Sequence, residues 1–451
     1  MLRHQQGAVT LAYEPTIGTP DALMAHREEA AGRQPKLRRG LLYARCVWRS
    51  SRLGSTEVLG LVKEERMRVL FTSTAGWGHV HPMVPLARAL KDRGTEVVWA
   101  APPAVCDRLE RAGVPTRACG LTREVALREY RQLLAELQSL SPAGAADAMY
   151  PKLFGAVLAP AMVADVEPVA RDWSPQLVVS ESAEFAGPIA AAVIGVPSVT
   201  HSLGALTPAG LVAAAADEVA RLWTVRGLEA RAYGGRYDYL YIDIFPPSLQ
   251  DPRPLYVGAV QPLRPGDFAT DGNEEPPQWL TDMSADPLLY VTFGTVFREG
   301  ALLSTVTQAI RDLPVRLVVT VGPDGDPASL GPQPANVHVA RYIPQSQLLP
   351  YCSTVVSHAG SGTFLAALGA AKPQLCLPQG ADQFRNAAAC ERSGVGLAVQ
   401  PESITDDRVR HAVERLLSEP GFREAAQQVS GEIATMPGPR DVAPVLESTY
   451  G

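Results

Sequence analysis

The sequence predicts an α/β fold of two Rossmann-like, doubly wound domains facing a cleft, and three observations predict it. From Met67 the chain alternates strand and helix, a break follows at residues 262–287, and a second alternation then begins. In the first half, Arg68–Ser73 (RVLFTS) is a short apolar strand, followed by the turn Ala75-Gly76-Trp77-Gly78. Pro82 stands where a first helical residue is favoured. Met83, Leu86, Ala87 and Leu90 repeat at helical spacing, Gly94 ends the helix, and Glu96–Ala100 is the next strand. Such a βαβ unit implies a parallel sheet. Leu177–Ser180 and Val196–Thr200 are later strands, and residues 122–170 are helical, a lid or wall over a cleft. Residues 262–287 are rich in Pro, Gly and Asp without periodicity, which marks a linker. The second half runs through Leu288–Phe293, Arg316–Val321, Val337–Ala340, Thr354–Ser357 and Gln374–Leu377. In such sheets sites lie at the carboxyl ends of the strands.

The chain has 451 residues, enough for two domains, and at 46% hydrophobic and 20% charged it is ordinary globular material. A net charge of −6 argues against general affinity for nucleic acid or an anionic membrane. Six cysteines are scattered without a CxxC pair and are expected to be reduced core residues of a cytoplasmic protein. No apolar run is expected to span a membrane, and no secretory signal is evident. Residues 1–66 lack clean periodicity. Lys63-Glu64-Glu65 before Met67 can be encoded by a purine-rich run resembling a bacterial ribosome-binding site, so this extension is expected to be disordered or non-native.

The most informative stretch is His358-Ala359-Gly360-Ser361-Gly362-Thr363, followed nineteen residues after Thr363 by Asp382-Gln383. Its first part is a strand end, a tight glycine turn and a helix start. Glycines let backbone approach an anion, and free N–H groups at a helix start favour negative charge. The Asp–Gln pair reads hydroxyls. A phosphate seat beside a hydroxyl reader suggests a sugar attached to a diphosphate. Gly78-His79-Val80-His81-Pro82 places histidines at the mouth of the first sheet, where one can act as general base or merely cap a helix. Glu181 and Glu184, just past Leu177–Ser180, are candidate acidic partners, with Glu181 first after the strand.

Weaker signals surround these. In Arg341-Tyr342-Ile343-Pro344-Gln345 a planar ring and adjoining backbone suit a nucleobase, and the same segment suits core packing around a turn. Gly294-Thr295 offers a hydroxyl and an N–H to a diphosphate. Asp324-Gly325-Asp326 spells DxD within Gly-Pro-Asp-Gly-Asp-Pro, which is turn chemistry, and no metal is expected. Gly76-x-Gly78 lacks the third glycine of a dinucleotide fingerprint, because position 81 is His.

Together these motifs resemble the inverting, two-domain GT-B glycosyltransferases that use nucleotide sugars, and most closely the bacterial natural-product glycosyltransferases that decorate polyketide and related antibiotics. The resemblance covers Met67 to about residue 445 and is strongest over residues 341–399, from RYIPQ through SHAGSGTFLAAL to LPQGADQFRNA. It implies an acceptor-binding domain over 67–261, a nucleotide-sugar domain over 288–432 and a C-terminal helix, 433–451, packing back on the first domain. It implies His79 as catalytic base and a structural His81. Glu181 falls where the family usually has Asp. Tyr342, Ile343, Pro344 and Gln345 fall on the base-binding stretch, His358 and Gly360 to Thr363 on the diphosphate contacts, and Asp382 and Gln383 on the sugar contacts. Many members carry a ribose-binding glutamate where this chain has Ala366. A 2′-deoxyribose has one hydroxyl fewer to satisfy, so a dTDP-sugar is expected over a UDP-sugar, with the sugar a deoxysugar.

The expected reaction moves that sugar to a hydroxyl of an apolar aglycone, with no cofactor beyond the donor. Trp77 and residues 122–170 would line the acceptor pocket, although a core role suits Trp77 as well. A nucleotide-sugar epimerase or hydrolase, and a non-catalytic auxiliary of a glycosyltransferase, are the competing readings. A homodimer is left open.

Overall fold

The computed structural model describes residues 66–251, 257–266, 278–281, 286–294, 300–323 and 325–451. The extension before Arg66, Thr295, Asp324 and much of the expected linker lie outside the described residues. Among the described residues the chain forms two parallel sheets. The first comprises β1 (Arg68–Thr72), β2 (Glu96–Ala101), β3 (Thr116–Ala118), β4 (Leu177–Glu181), β5 (Ser198–His201), β6 (Leu240–Asp243) and β7 (Ala259–Pro262), in the order 3-2-1-4-5-6-7. The second comprises β8 (Leu288–Thr292), β9 (Arg316–Thr320), β10 (Val337–Ala340), β11 (Thr354–Ser357), β12 (Gln374–Cys376) and β13 (Gly396–Ala398), in the order 10-9-8-11-12-13. The two-domain doubly wound expectation holds. β3, β6, β7 and β13, which pattern reading passed over, are three or four residues long and lack a sustained apolar run.

Both sheets reverse strand order at one point, between β1 and β4 and between β8 and β11. A crevice opens there at the carboxyl ends of the strands. The central strands are buried on both faces, which is why they read as continuous apolar runs.

Residues 142–173 form one continuous helical rod, Pro142–Tyr150, a π-helical stretch over Pro151–Leu158, and Ala159–Trp173. It is long and apolar enough to cross a membrane by length and composition, where the sequence reading expected no such run. Its apolarity serves packing. Met162, Val163, Val166 and Ala170 are buried in the core cluster that contains Leu70 and Val178, while Met149, Leu153, Phe154 and Leu158 line the cleft.

The described cysteines, at 106, 119, 352, 376 and 390, are buried and unbridged. At the chain end, Val442, Ala443 and Leu446 of the helix Pro439–Tyr450 share a core with Leu86, Ala87 and Leu90 of the first half. Glu447 accepts from Arg93 and from Thr95, both at 2.7 Å. Arg392 donates to Asp251 at 3.0 Å, and the Ser248 N–H donates to Glu432 at 2.9 Å, adding ties between the two halves.

Candidate active site

After β1 the chain turns through Gly76 into a single helical turn, Trp77–Val80, which places His79 at the carboxyl edge of the sheet. A Cβ at Gly76 would fall 2.6 Å from the His79 ring, so glycine makes room for that ring. β4, across the switch point, ends on the wholly buried Glu181. His79 Nδ1 lies 3.1 Å from Glu181 Oε1. The angle falls short of a formal hydrogen bond, as is common before substrate arrives. Glu181 Oε2 accepts from the Ala183 N–H at 2.9 Å, and the Phe154 ring packs on His79 at 5.5 Å between centroids.

Burial works against an imidazolium at His79, but the adjacent charge of Glu181, with Asp382 across the cleft, outweighs it and raises the pKa above its ordinary value. Burial likewise works against the Glu181 carboxylate, and His79, the Ala183 N–H and Arg236 outweigh it and hold the pKa below its usual range. Glu184 goes the other way. Burial dominates and its pKa rises, while its oxygens accept from Thr72 and from the N–H groups of Ala186 and Gly187. His81 is pushed down to about 3 by burial and the nearby Arg108, and its ring lies against Trp77. Of the two histidines and two carboxylates, His79 and Glu181 are the pair that meets.

On the opposite wall β11 leads into His358-Ala359-Gly360 and the helix Ser361–Gly369. The sequence reading gave this tight turn to its glycines. The left-handed residue is instead Ala359, at φ 62°, while Gly360 has φ −61° as the helix cap. Glycine is required at 360 because a Cβ there would sit 2.5 Å from His358 Nε2. A Cβ at Gly294, after β8, would sit 2.7 Å from the same ring, so two glycines enclose it. A Cβ at Gly362 would meet nothing within 4 Å, and Gly362 faces the cleft.

Asn386 Nδ2 donates to the Ala359 carbonyl at 2.8 Å, to Ser361 Oγ at 3.0 Å and to Asp382 Oδ2 at 3.2 Å. Ser361 donates to the same Asp382 oxygen. Asp382 Oδ1 receives no hydrogen bond among the described residues. Burial pushes His358 down to about 4, with Asp382 opposing, so at neutral pH it is an uncharged imidazole. The two walls enclose a cleft of about 1800 Å³, room for two ligands together.

Family models describe the same two halves. Residues 88–251 match the N-terminal domain, and residues 304–449 the C-terminal domain, of the erythromycin biosynthesis protein CIII-like family. The L-demethylnoviosyl transferase of Streptomyces niveus is 34% identical over 382 residues, covering 84% of this chain and 97% of that protein. The chain belongs to this family of antibiotic glycosyltransferases. Its architecture is the GT-B fold. The crystal structure of the glycosyltransferase SnogD from Streptomyces nogalater superposes with a TM-score of 0.71 at 28% identity, covering 86% of this chain and all of that one. That of glycosyltransferase VinC in complex with DTDP gives 0.69 at 26% identity, covering 85% and 99%.

In this CIII-like glycosyltransferase Trp77, Tyr342, Gln345, His358, Thr363 and Asp382 all face the one cleft. Tyr342 is 55% exposed at its edge. Several of the expected site residues also make contacts within the protein. The Ile343 side chain is buried with Tyr290 and Leu348 and does not line the cleft, as core packing around the turn would have it. Gln383 lines the cleft, but it is nearly buried and its Oε1 accepts from the N–H groups of Gln379 and Gly380 at 2.7 and 3.0 Å. Its acceptor is therefore taken up by the loop. The Ser361 hydroxyl is likewise taken up by Asp382, and Gln345 Nε2 donates to Thr363 Oγ1 at 2.9 Å. In the DxD turn Asp326 accepts from the Ala328 N–H, the local turn bond its composition suggested.

Sequence reasoning missed Phe154, Gly204 and Asn386. Asn386 was findable, because it lies one helical turn after Asp382. Gly204, after β5, had no local signal. A Cβ there would overlap Ser361 of the opposite wall.

Proposed function

We propose that the protein transfers a deoxysugar from a dTDP-linked donor to a hydroxyl of an apolar natural-product aglycone, with inversion at the anomeric carbon. The observation that carries this is the His79–Glu181 pair, facing Asp382 and the helix start at Ser361 across one cleft. The acceptor lies on the first wall, among Trp77, Tyr150 and Phe154. The donor lies on the second, with its diphosphate at the N-terminus of the helix Ser361–Gly369 and its sugar at Asp382.

His79 takes the acceptor proton, and Glu181 stabilises the imidazolium that forms. The hydroxyl attacks from the face opposite the diphosphate. Backbone N–H groups stabilise the leaving group, and the neutral His358 adds one donor. Ala366, where a ribose-binding carboxylate would leave its charge unpaired against deoxyribose, supports the thymidine nucleotide, as does the DTDP held by VinC. Tyr342 at the cleft edge suits a stacked base.

The test is direct. His79→Ala should abolish glycoside formation while calorimetry still registers dTDP. Product analysis of the wild type should show inverted configuration. Donor consumption without any acceptor would instead support an epimerase or hydrolase, and retained transfer by His79→Ala would remove the base assignment.

A further inference from the structure

Behind the His79–Glu181 pair lies a buried cation that the reaction above does not use. Arg236 is 1% exposed. Its Nη1 donates to Tyr150 Oη at 2.6 Å, and its guanidinium carbon sits 4.5 Å from the centre of the Phe185 ring. Nε and Nη2 have no hydrogen-bond partner, and no carboxylate of the described residues lies within ion-pair distance. A buried charge left without a contacting counter-ion is costly, so a role for the charge itself is the natural explanation.

Three elements fix this charge behind Glu181. Tyr150 Oη, which accepts from Arg236, donates to the carbonyl of Ser182, the residue after Glu181, at 3.2 Å. Thr200 Oγ1 donates to the Arg236 carbonyl at 2.6 Å, and the next residue, His201, pairs in register with Glu181 between β5 and β4. Phe154, which packs on His79, also packs on Tyr150 at 5.3 Å. Burial pushes His201 down to about 4, holds Glu184 protonated longer than usual, and raises Tyr241. Tyr237 and Tyr150 lie on the Arg236 side, and Asp382 faces His79 from the other wall.

We propose that Arg236 is a positioning residue for the acid–base pair, its fixed charge holding Glu181 as a carboxylate while opposing premature protonation of His79. The two demands conflict without it. In a dry site Glu181 tends to pick up a proton, and once ionised it draws one onto His79, leaving the base already occupied. A cation behind the carboxylate counters both, attracting the anion and repelling the imidazolium. This rests on His79 being the base. The rule of sign follows: removing the cation raises the pKa of both groups.

The experiment compares kcat/KM against pH for the wild type, Arg236→Met, Arg236→Gln and Arg236→Lys. Arg236→Met should move the acidic limb towards alkaline pH, with a loss at about pH 6 that is roughly threefold or more beyond the loss at about pH 8.5. Arg236→Lys should keep the limb near its wild-type position, and Arg236→Gln, which keeps a hydrogen-bond donor without the charge, should move it as Arg236→Met does. An unmoved limb in Arg236→Met overturns the proposal. An unmoved limb in Arg236→Gln does so too, and that variant decides the matter if Arg236→Met does not fold. Transfer by His79→Ala would defeat the catalytic reading itself, whereas an inactive His79→Ala beside an unmoved limb in Arg236→Met defeats only the role of Arg236.

Discussion

His79 and His358 each stand at the switch point of their half, His79 after β1 and His358 after β11, yet their protonation runs in opposite directions. Each follows a strand at a switch point, precedes a short turn into a helix and lies against glycine. Burial lowers the pKa of both. On the first wall the neighbouring strand ends in Glu181, which reverses that effect. On the second wall Gly294 follows the neighbouring strand, and His358 stays near 4. One strand–turn–helix device thus gives an imidazole with its own counter-charge and an uncharged one. The residue at the end of the adjacent strand decides which.

The strongest way to break this comparison is to remove each histidine. His79→Ala should lower kcat by about 10³-fold with dTDP affinity unchanged by calorimetry. His358→Ala should act mainly on the donor, raising its KM by roughly tenfold, with the acidic limb of the rate profile in place. Equal effects on both parameters in both variants would erase the distinction.

Glu181→Gln sharpens it next. The neutral amide leaves burial opposed only by Asp382, so the His79 pKa falls. kcat should drop by about 10²-fold or more, and the acidic limb should move to lower pH, opposite to the shift from Arg236→Met. A pH titration of dTDP affinity probes the second wall. Bound diphosphate raises the pKa of His358 above about 4, so binding takes up a proton and strengthens as pH falls from neutrality. After correction for protonation of the nucleotide, that slope should vanish in His358→Ala.

Smaller effects test the contacts between and within the walls. Gly204→Ala adds a methyl against Ser361 and should raise the donor KM several-fold with little change in melting temperature. Asn386→Ala removes the donor shared by Ala359, Ser361 and Asp382, leaving buried acceptors unsatisfied. It should cost about 2 kcal/mol of stability and loosen donor binding, readable by melting and by KM.

Much of the site was legible because its residues sit at the carboxyl ends of apolar strands, where pattern alone places them. His79, Glu181, His358 and Asp382 came from local signals of this kind. The burial of the Ile343 side chain against Tyr290 was not legible, because that neighbour lies far off in sequence, and the bonds of Gln383 to Gln379 and Gly380, though local, depend on a loop shape that residue pattern does not report. The glycines of this turn were read as letting backbone approach an anion. That Ala359 takes its left-handed conformation, with its carbonyl held by Asn386, and that Gly360 leaves space beside an imidazole were visible only in three dimensions.

The sequence by itself determined that two parallel-sheet domains form, where strands end and helices begin, and which chemical groups reach the crevice, because these follow from side-chain periodicity and turn chemistry within short stretches. The tertiary structure alone decided the charge states. The opposite pKa directions of Glu181 and Glu184, the raised pKa of His79 and the cost of a guanidinium buried near them depend on dehydration and on charges brought close from strands far apart in the chain. Electrostatic energy follows distance in space, and sequence separation does not report that distance.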